Sequence, residues 1–184
     1  MTIQARNITR RHFLHTISVA ATGLALYSPW RSVFAKSPDR ILSFYHTHTG
    51  EHLKLTYYSD GNYLDDALKD INQYLRDFRT NEIYPIDSHL LDVLFTVQNA
   101  CESNGTFEVI SGYRSPQTNK LLHDQGHGVA LHSLHMVGKA IDVRLTDVKT
   151  SYLRKAAMSL KRGGVGYYAK SDFVHMDTGR VRYW

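Results

Sequence analysis

Ser133 to Arg144 reads SLHMVGKAIDVR, and its residue types suit half of a metal site. His135 can offer a neutral imidazole. Gly138 lets the backbone bend before the next ligand. Asp142 sits among Ala140, Ile141 and Val143, which suit a buried strand. A carboxylate there is costly unless a nearby charge compensates it, and a divalent cation would do so. A second apolar run, FVHMD at Phe173 to Asp177, brings another histidine, His175. Two imidazoles and one carboxylate leave a fourth position on zinc open, which is the catalytic rather than the structural arrangement.

Other chemistry-bearing residues read more plainly. His46 and His48 alternate onto one face but have no carboxylate in a matching run, so an exposed turn is expected. His123 and His127 have helical i, i+4 spacing. HDQGH lacks the glutamate of the thermolysin-like H-E-x-x-H pattern, and Gly126 breaks the helix there. Cys101, the only cysteine, cannot form an internal disulfide. It falls on an apolar helix, where packing is its expected role. On residues alone, both a metal site and ordinary packing remain open for His135, Asp142 and His175.

The elements that must position these groups follow from periodicity. Ile41–Tyr45 and Leu53–Tyr58 read as a hairpin joined at His46 to Glu51. Tyr63–Arg79 reads as an amphipathic helix, with Asp60 and Asn62 as candidate caps. A second helix follows Pro85, capped by Asp87 or Ser88. Phe107–Ser111 reads as a strand ending in Gly112-Tyr113-Arg114, where an arginine can be aimed into a cleft. Asn119–Gln125 and Ser151–Leu160 read as helices, the latter stopped by Gly163-Gly164. Val165–Tyr168 and Phe173–Asp177 read as closing strands. The expected fold class is α+β, with helices first and a small antiparallel sheet carrying the site.

A net charge of +5 suggests a nucleic-acid partner until its distribution is considered. Arg6, Arg10, Arg11 and Arg31 lie in the first 35 residues, which hold no acid; removing them from the 22 basic residues leaves 18 against 17 acidic. The rest is nearly neutral, without a basic stripe. Residues 1–35 read as a targeting segment: Thr9-Arg10-Arg11-His12-Phe13-Leu14 resembles the twin-arginine export signal. The apolar stretch Ile17 to Tyr27 is short for a membrane span, and cleavage is expected after Ala35. The expected product is residues 36–184 as one domain, delivered to the periplasm of a Gram-negative bacterium by the twin-arginine translocase, with no lasting membrane span.

Three motifs in order carry a resemblance: SGYRS at Ser111–Ser115, SLHMVGKAID at Ser133–Asp142 and FVH at Phe173–His175. They resemble the zinc D-alanyl-D-alanine carboxypeptidase and murein endopeptidase family, which carries S-G-Y-R-S, then S-x-H-x-x-G-x-A-x-D, then a late histidine. The leader, the HTGE hairpin, GGVGYY at Gly163–Tyr168 and the FVHMDTG ending resemble its periplasmic endopeptidase branch. The likeness spans nearly the whole chain. It implies zinc on His135, Asp142 and His175, and Arg114 stabilising charge on a substrate carbonyl or holding a carboxylate. It also implies the small fold these peptidases share with the Hedgehog signalling domain. The implied substrate is the crosslinked stem peptide of peptidoglycan, cut between two diaminopimelates.

An acid three positions before the last histidine often serves this family as general base, here Asp172. In a regular strand Asp172 and His175 would face opposite ways, while Asp177 would share the face of His175. Asp177 is therefore the rival, as base or as support for a ligand. His132 is a candidate to line the cleft or bind a substrate carboxylate. Tyr113, Ser133, Tyr167 and Tyr168 are candidates for the surrounding wall. Trimming of single stem peptides, or wall binding with a merely stabilising metal, are the rival functions.

Overall fold

The computed structural model describes residues 38–126 and 129–184. The leader, its twin-arginine pair, the cleavage position and His127 lie outside the described residues. Two strands open the fold: β1 (Arg40–His46) and β2 (His52–Ser59), with the short β3 (Asn62–Tyr63) beyond them. Then follow α1 (Asp65–Tyr74), α2 (Ser88–Ala100), β4 (Phe107–Ser111) and α3 (Pro116–Asp124). A 3-10 turn at Leu134–Val137 leads into β5 (Ala140–Leu145), and α4 (Thr150–Leu160), β6 (Gly164–Tyr168), β7 (Phe173–Asp177) and β8 (Arg182–Tyr183) complete the chain.

The sheet corrects the expectation of a small antiparallel one preceded by helices. All eight strands join in one mixed sheet, ordered β3-β2-β1-β4-β5-β7-β6-β8. β1 pairs parallel with β4, Phe44 opposite Phe107, and β6 pairs parallel with β8. The parallel pairing of β1 and β4 needs a crossover, which α1 and α2 provide. The opening hairpin thereby becomes an extension of the site-bearing sheet.

Alternation along the central strands divides the sheet's two faces. Ile141, Val143 and Leu145 of β5, with Val174 and Met176 of β7, join the apolar core that includes Leu90, Leu94, Val97 and Leu153. α2 packs on β1 and α4, while α4 lies over β5, β6 and β7. Asp142 falls between Ile141 and Val143 and takes the other face, as His175 does between Val174 and Met176. One strand pair therefore anchors the core and presents polar groups opposite it.

Helix ends differ from the periodic reading for local chemical reasons. α1 stops at Tyr74, not Arg79, because Asp77 gathers the chain into a turn, accepting from the Arg79 N–H at 2.9 Å. Its N-cap is Leu64 without a side-chain hydrogen bond, so neither Asp60 nor Asn62 caps it. α2 is capped by Asp87, which accepts from the His89 N–H at 3.0 Å. α3 begins at Pro116, with Ser115 accepting from the Thr118 N–H at 3.2 Å; proline at the first helical position suits this start. Cys101 ends α2 half-buried, and burial pushes its thiol upward. Among the described residues, no helix is long and apolar enough to cross a membrane.

Candidate metal centre

Three segments converge on the polar face of β5. Asp142 and His175 sit directly opposite each other in the antiparallel β5–β7 ladder. Cross-strand neighbours in this register bring their side chains together. His135 comes from the 3-10 turn. Ser133 caps that turn, its hydroxyl accepting from the His135 N–H at 3.3 Å. Gly138 ends it at φ 65°, and a Cβ there would strike the Pro85 carbonyl oxygen, so only glycine fits. Ligand atoms of His135, Asp142 and His175 lie within 4.8 Å of one another, and all three residues are buried.

Each imidazole is oriented through its outward nitrogen. His135 Nδ1 lies 2.7 Å from the Gly112 carbonyl and donates to it. This leaves Nε2 with its lone pair inward, 3.3 Å from Asp142 Oδ2 and 3.2 Å from His175 Nδ1. His175 turns the other way: Nδ1 lies 2.9 Å from Asp142 Oδ1, and Nε2 lies 3.0 Å from Asp177 Oδ2. Asp177 is itself fully engaged. It accepts from the Gly164 N–H at 3.0 Å, the Gly179 N–H at 2.8 Å, and both terminal nitrogens of Arg182 at 3.1 and 2.8 Å. A carboxylate so saturated orients a ligand and has no lone pair facing the cleft.

The electrostatics fit a bound cation. Burial works to raise the Asp142 carboxyl, but His135 and His175 outweigh it and hold the group well below the usual carboxylate range. Burial also lowers His175, yet hydrogen bonds to Asp142 and Asp177 dominate and push it up to about 9. His135 moves down because burial prevails. Thus Asp142 is ionised and His135 neutral, as metal ligands must be. His175 alone must give up a proton.

The cleft over these groups is lined by Arg114, His132, Ser133, Tyr168, Phe173 and Trp184, among others. Arg114 is buried, with Nη2 3.2 Å from Ser111 Oγ and 3.4 Å from Asp142 Oδ2. A bulge in the β4–β5 pairing sets Ser111 opposite Asp142, and bulges commonly re-aim a side chain in this way. Arg114 Nε is buried without an acceptor, while the residue as a whole lines the cleft.

Asp172 is placed apart from the three candidate ligands. It lies at φ 51° just before β7, outside the regular strand. Its Oδ1 accepts from Thr150 Oγ1 at 2.6 Å, and Oδ2 lies 3.8 Å from Arg144. It borders a separate depression with Glu108 and Arg144, so its carboxylate does not join the ligand group. Tyr113 is likewise drawn away: its hydroxyl donates to Glu82 at 2.7 Å and its ring stacks on Tyr84. Tyr168 lines the cleft, whereas Tyr167 lies beneath the Arg154 guanidinium. His46 is buried, not exposed in a turn. His123 is exposed beside Asp124.

The sequence reading missed Arg182 and Trp184. The indole of Trp184 lies 5.2 Å from the His175 ring, donates to Tyr168 Oη at 3.0 Å and sits under the Arg182 guanidinium. Gly166 makes room for it, since a Cβ there would strike the indole. The GVGYY glycine and the RVRYW ending were the available signals, but only strand pairing joins them.

Residues 34–184 match the family model described as peptidoglycan L,D-endopeptidase MepK. The peptidoglycan L,D-endopeptidase MepK of Escherichia coli strain K12 is 38% identical over 175 residues, covering 95% of this chain and 96% of the relative. The probable peptidoglycan L,D-endopeptidase MepK of Haemophilus influenzae is 41% identical over 146 residues, covering 79% of this chain and 78% of the relative. Among solved structures, the L-Ala D-Glu endopeptidase ChiX of Serratia marcescens aligns with a TM-score of 0.40 and 19% identity, over 61% of this chain and 86% of that one.

Proposed function

The chain belongs to the MepK family of metallopeptidases, and on that premise we propose that it is a zinc-dependent endopeptidase of peptidoglycan. The reading extends to its substrate, the peptide crosslink joining two diaminopimelates, and to a periplasmic site of action. Residues 1–35 would then be the twin-arginine leader, handled by the twin-arginine translocase, and residues 36–184 the peptidase domain with a Hedgehog and DD-peptidase type of fold. The observation that carries the reading is the buried His135, Asp142 and His175 group, with a separate acceptor holding the outward nitrogen of each imidazole.

Two imidazoles and a carboxylate suit zinc. His135 Nε2, His175 Nδ1 and a carboxylate oxygen of Asp142 would hold it. When bound, the ion supplies Lewis acidity and activates a water.

The chain's own residues do the rest. Gly112 and Asp177 fix the two imidazoles. Arg114, which lines the cleft, would offer its positive charge to the oxygen that gains charge as the scissile carbonyl becomes tetrahedral. Phe173 and Trp184 shield one side of the cleft. A proton must pass from water to the leaving amine. Asp172 faces elsewhere and Asp177 is saturated, so the role falls to the His132 imidazole, which lines the cleft without serving as a ligand.

Digestion of purified crosslinked muropeptide dimers tests the reading. The metal-loaded protein should release monomers, EDTA should stop the release, and zinc should restore it. The 3–3 linkage should be cut in preference to the 4–3 linkage. Dimers that persist with zinc fully bound would leave a wall-binding module. Attack on single stems alone would leave a carboxypeptidase.

A further inference from the structure

The cleft continues beyond the ligand group into a second lobe. The metal-side lobe encloses about 320 Å³ and the second about 520 Å³. Arg114, Asp142, Tyr168 and Phe173 line both. The second lobe adds Arg79 and His48, from the turn after α1 and from the opening hairpin. Asp142 is committed to His135, His175 and Arg114. That leaves two guanidiniums facing a lobe with no uncommitted carboxylate among its lining residues.

Among the described residues, Arg79 lacks the carboxylate partner that several other arginines have. Arg76 is paired by both oxygens of Glu51, Arg182 by Asp177, Arg40 by Asp92 and Arg144 by Glu108. Among the described residues, no carboxylate pairs with Arg79. It is nevertheless held in place. Its guanidinium lies 4.2 Å from the Phe78 ring centroid, and Phe78 stacks on His48 at 4.4 Å and 12°. Its backbone N–H donates to Asp77 Oδ1, while Asp77 Oδ2 takes the Ser115 N–H at 2.9 Å, next to Arg114. One buried carboxylate thus positions both arginine-bearing turns. Holding two like charges toward one space costs energy unless an anion occupies it, and a planar guanidinium suits a carboxylate.

We propose that Arg79, with Arg114 beside it, forms a subsite for a free carboxylate of the peptide substrate, on the far side of Asp142 from Trp184. The assignment rests on the endopeptidase reading for the substrate's identity. In a crosslink between two diaminopimelates, the amide nitrogen is borne by a carbon that also carries a free carboxylate. Arg79 would read that group and so fix which side of the amide enters the second lobe.

The test uses metal-loaded protein and the monomeric stem peptide released by cleavage, in acid form and with that one carboxylate converted to carboxamide. Calorimetry on wild type and Arg79→Gln should show the acid binding about 10–100-fold more weakly to the variant, the range for a charge-assisted hydrogen bond. The carboxamide should bind both proteins equally weakly. On crosslinked dimers, KM should rise by the same factor while kcat holds. The proposal is overturned if the variant binds the acid like wild type, if it loses acid and carboxamide alike, or if wild type binds neither. Failure of the endopeptidase reading looks different: wild type would prefer the acid peptide yet leave dimers intact.

Discussion

Two histidine pairs, each with one member on the sheet and one in a turn, meet opposite fates. His46 and His48 share the opening hairpin, and His135 and His175 flank β5. His46 is buried against the Tyr74 and Phe78 rings, its Nδ1 accepting from the His48 N–H at 3.3 Å. Its Nε2 has no partner. Burial drives it down to about 4. His175, almost as buried, moves up to about 9, because Asp142 and Asp177 offset the same burial. The lesson is that two nearby imidazoles become a candidate metal site when a buried carboxylate joins them and a further acceptor aims each ring. Without these, burial merely keeps a histidine neutral.

The comparison is broken most completely by Asp142→Ala, which makes the second pair resemble the first. Metal content and dimer cleavage should both disappear, as measured by atomic absorption and muropeptide chromatography. His132→Gln comes next. It should leave metal content intact and lower kcat by about 10²–10⁴-fold, the usual share of a general acid–base group. Asp177→Asn loosens the aiming of one ring and should weaken zinc by about 10–100-fold, measured by competition with a chromophoric chelator. Asp172→Asn lies outside the comparison and should leave metal and kcat unchanged. It should cost about 0.5–1.5 kcal/mol of stability through the Thr150 hydrogen bond, read by urea unfolding.

The smallest effect sharpens the comparison through pH. His46 has a folded value below its ordinary one, so its stabilising share is present above about pH 6.5 and is lost as pH falls toward about 4. His175 in the metal-free protein has a raised value. Its share is present below about pH 6.5 and is lost as pH rises through about 9. Melting temperatures of metal-free protein should therefore decline at both ends. His46→Phe should flatten the acid side and leave the alkaline side as it was.

Local signals predicted the elements well where chemistry and periodicity agreed. Asp87 before an apolar helical run marked the start of α2, and the FVHMD alternation marked β7 over its observed length. They were less reliable where a side chain bonded across the chain. Asp77 ends α1 early because it serves the Ser115 backbone, a partner far along the sequence. Ser115-Pro116 already carried the start of α3, as a cap followed by proline, and the periodic reading passed over it. Asp172 lies close to His175 along the chain, yet a left-handed residue and Thr150 turn it aside.

By itself, the sequence determined the candidate ligands and the apolar strands that carry them, since a carboxylate and two imidazoles in apolar runs stand out from ordinary packing and match the family motifs. Tertiary structure decided the rest, because those outcomes depend on contacts between distant segments. Parallel pairing of β1 with β4 made one sheet of two regions. Folding surrounded Asp177 with the donors of Gly164, Gly179 and Arg182. The pairing of β8 with β6 carried Trp184 to the cleft wall. Hydrogen-bond partners and strand neighbours are chosen by the folded geometry, and no local pattern encodes them.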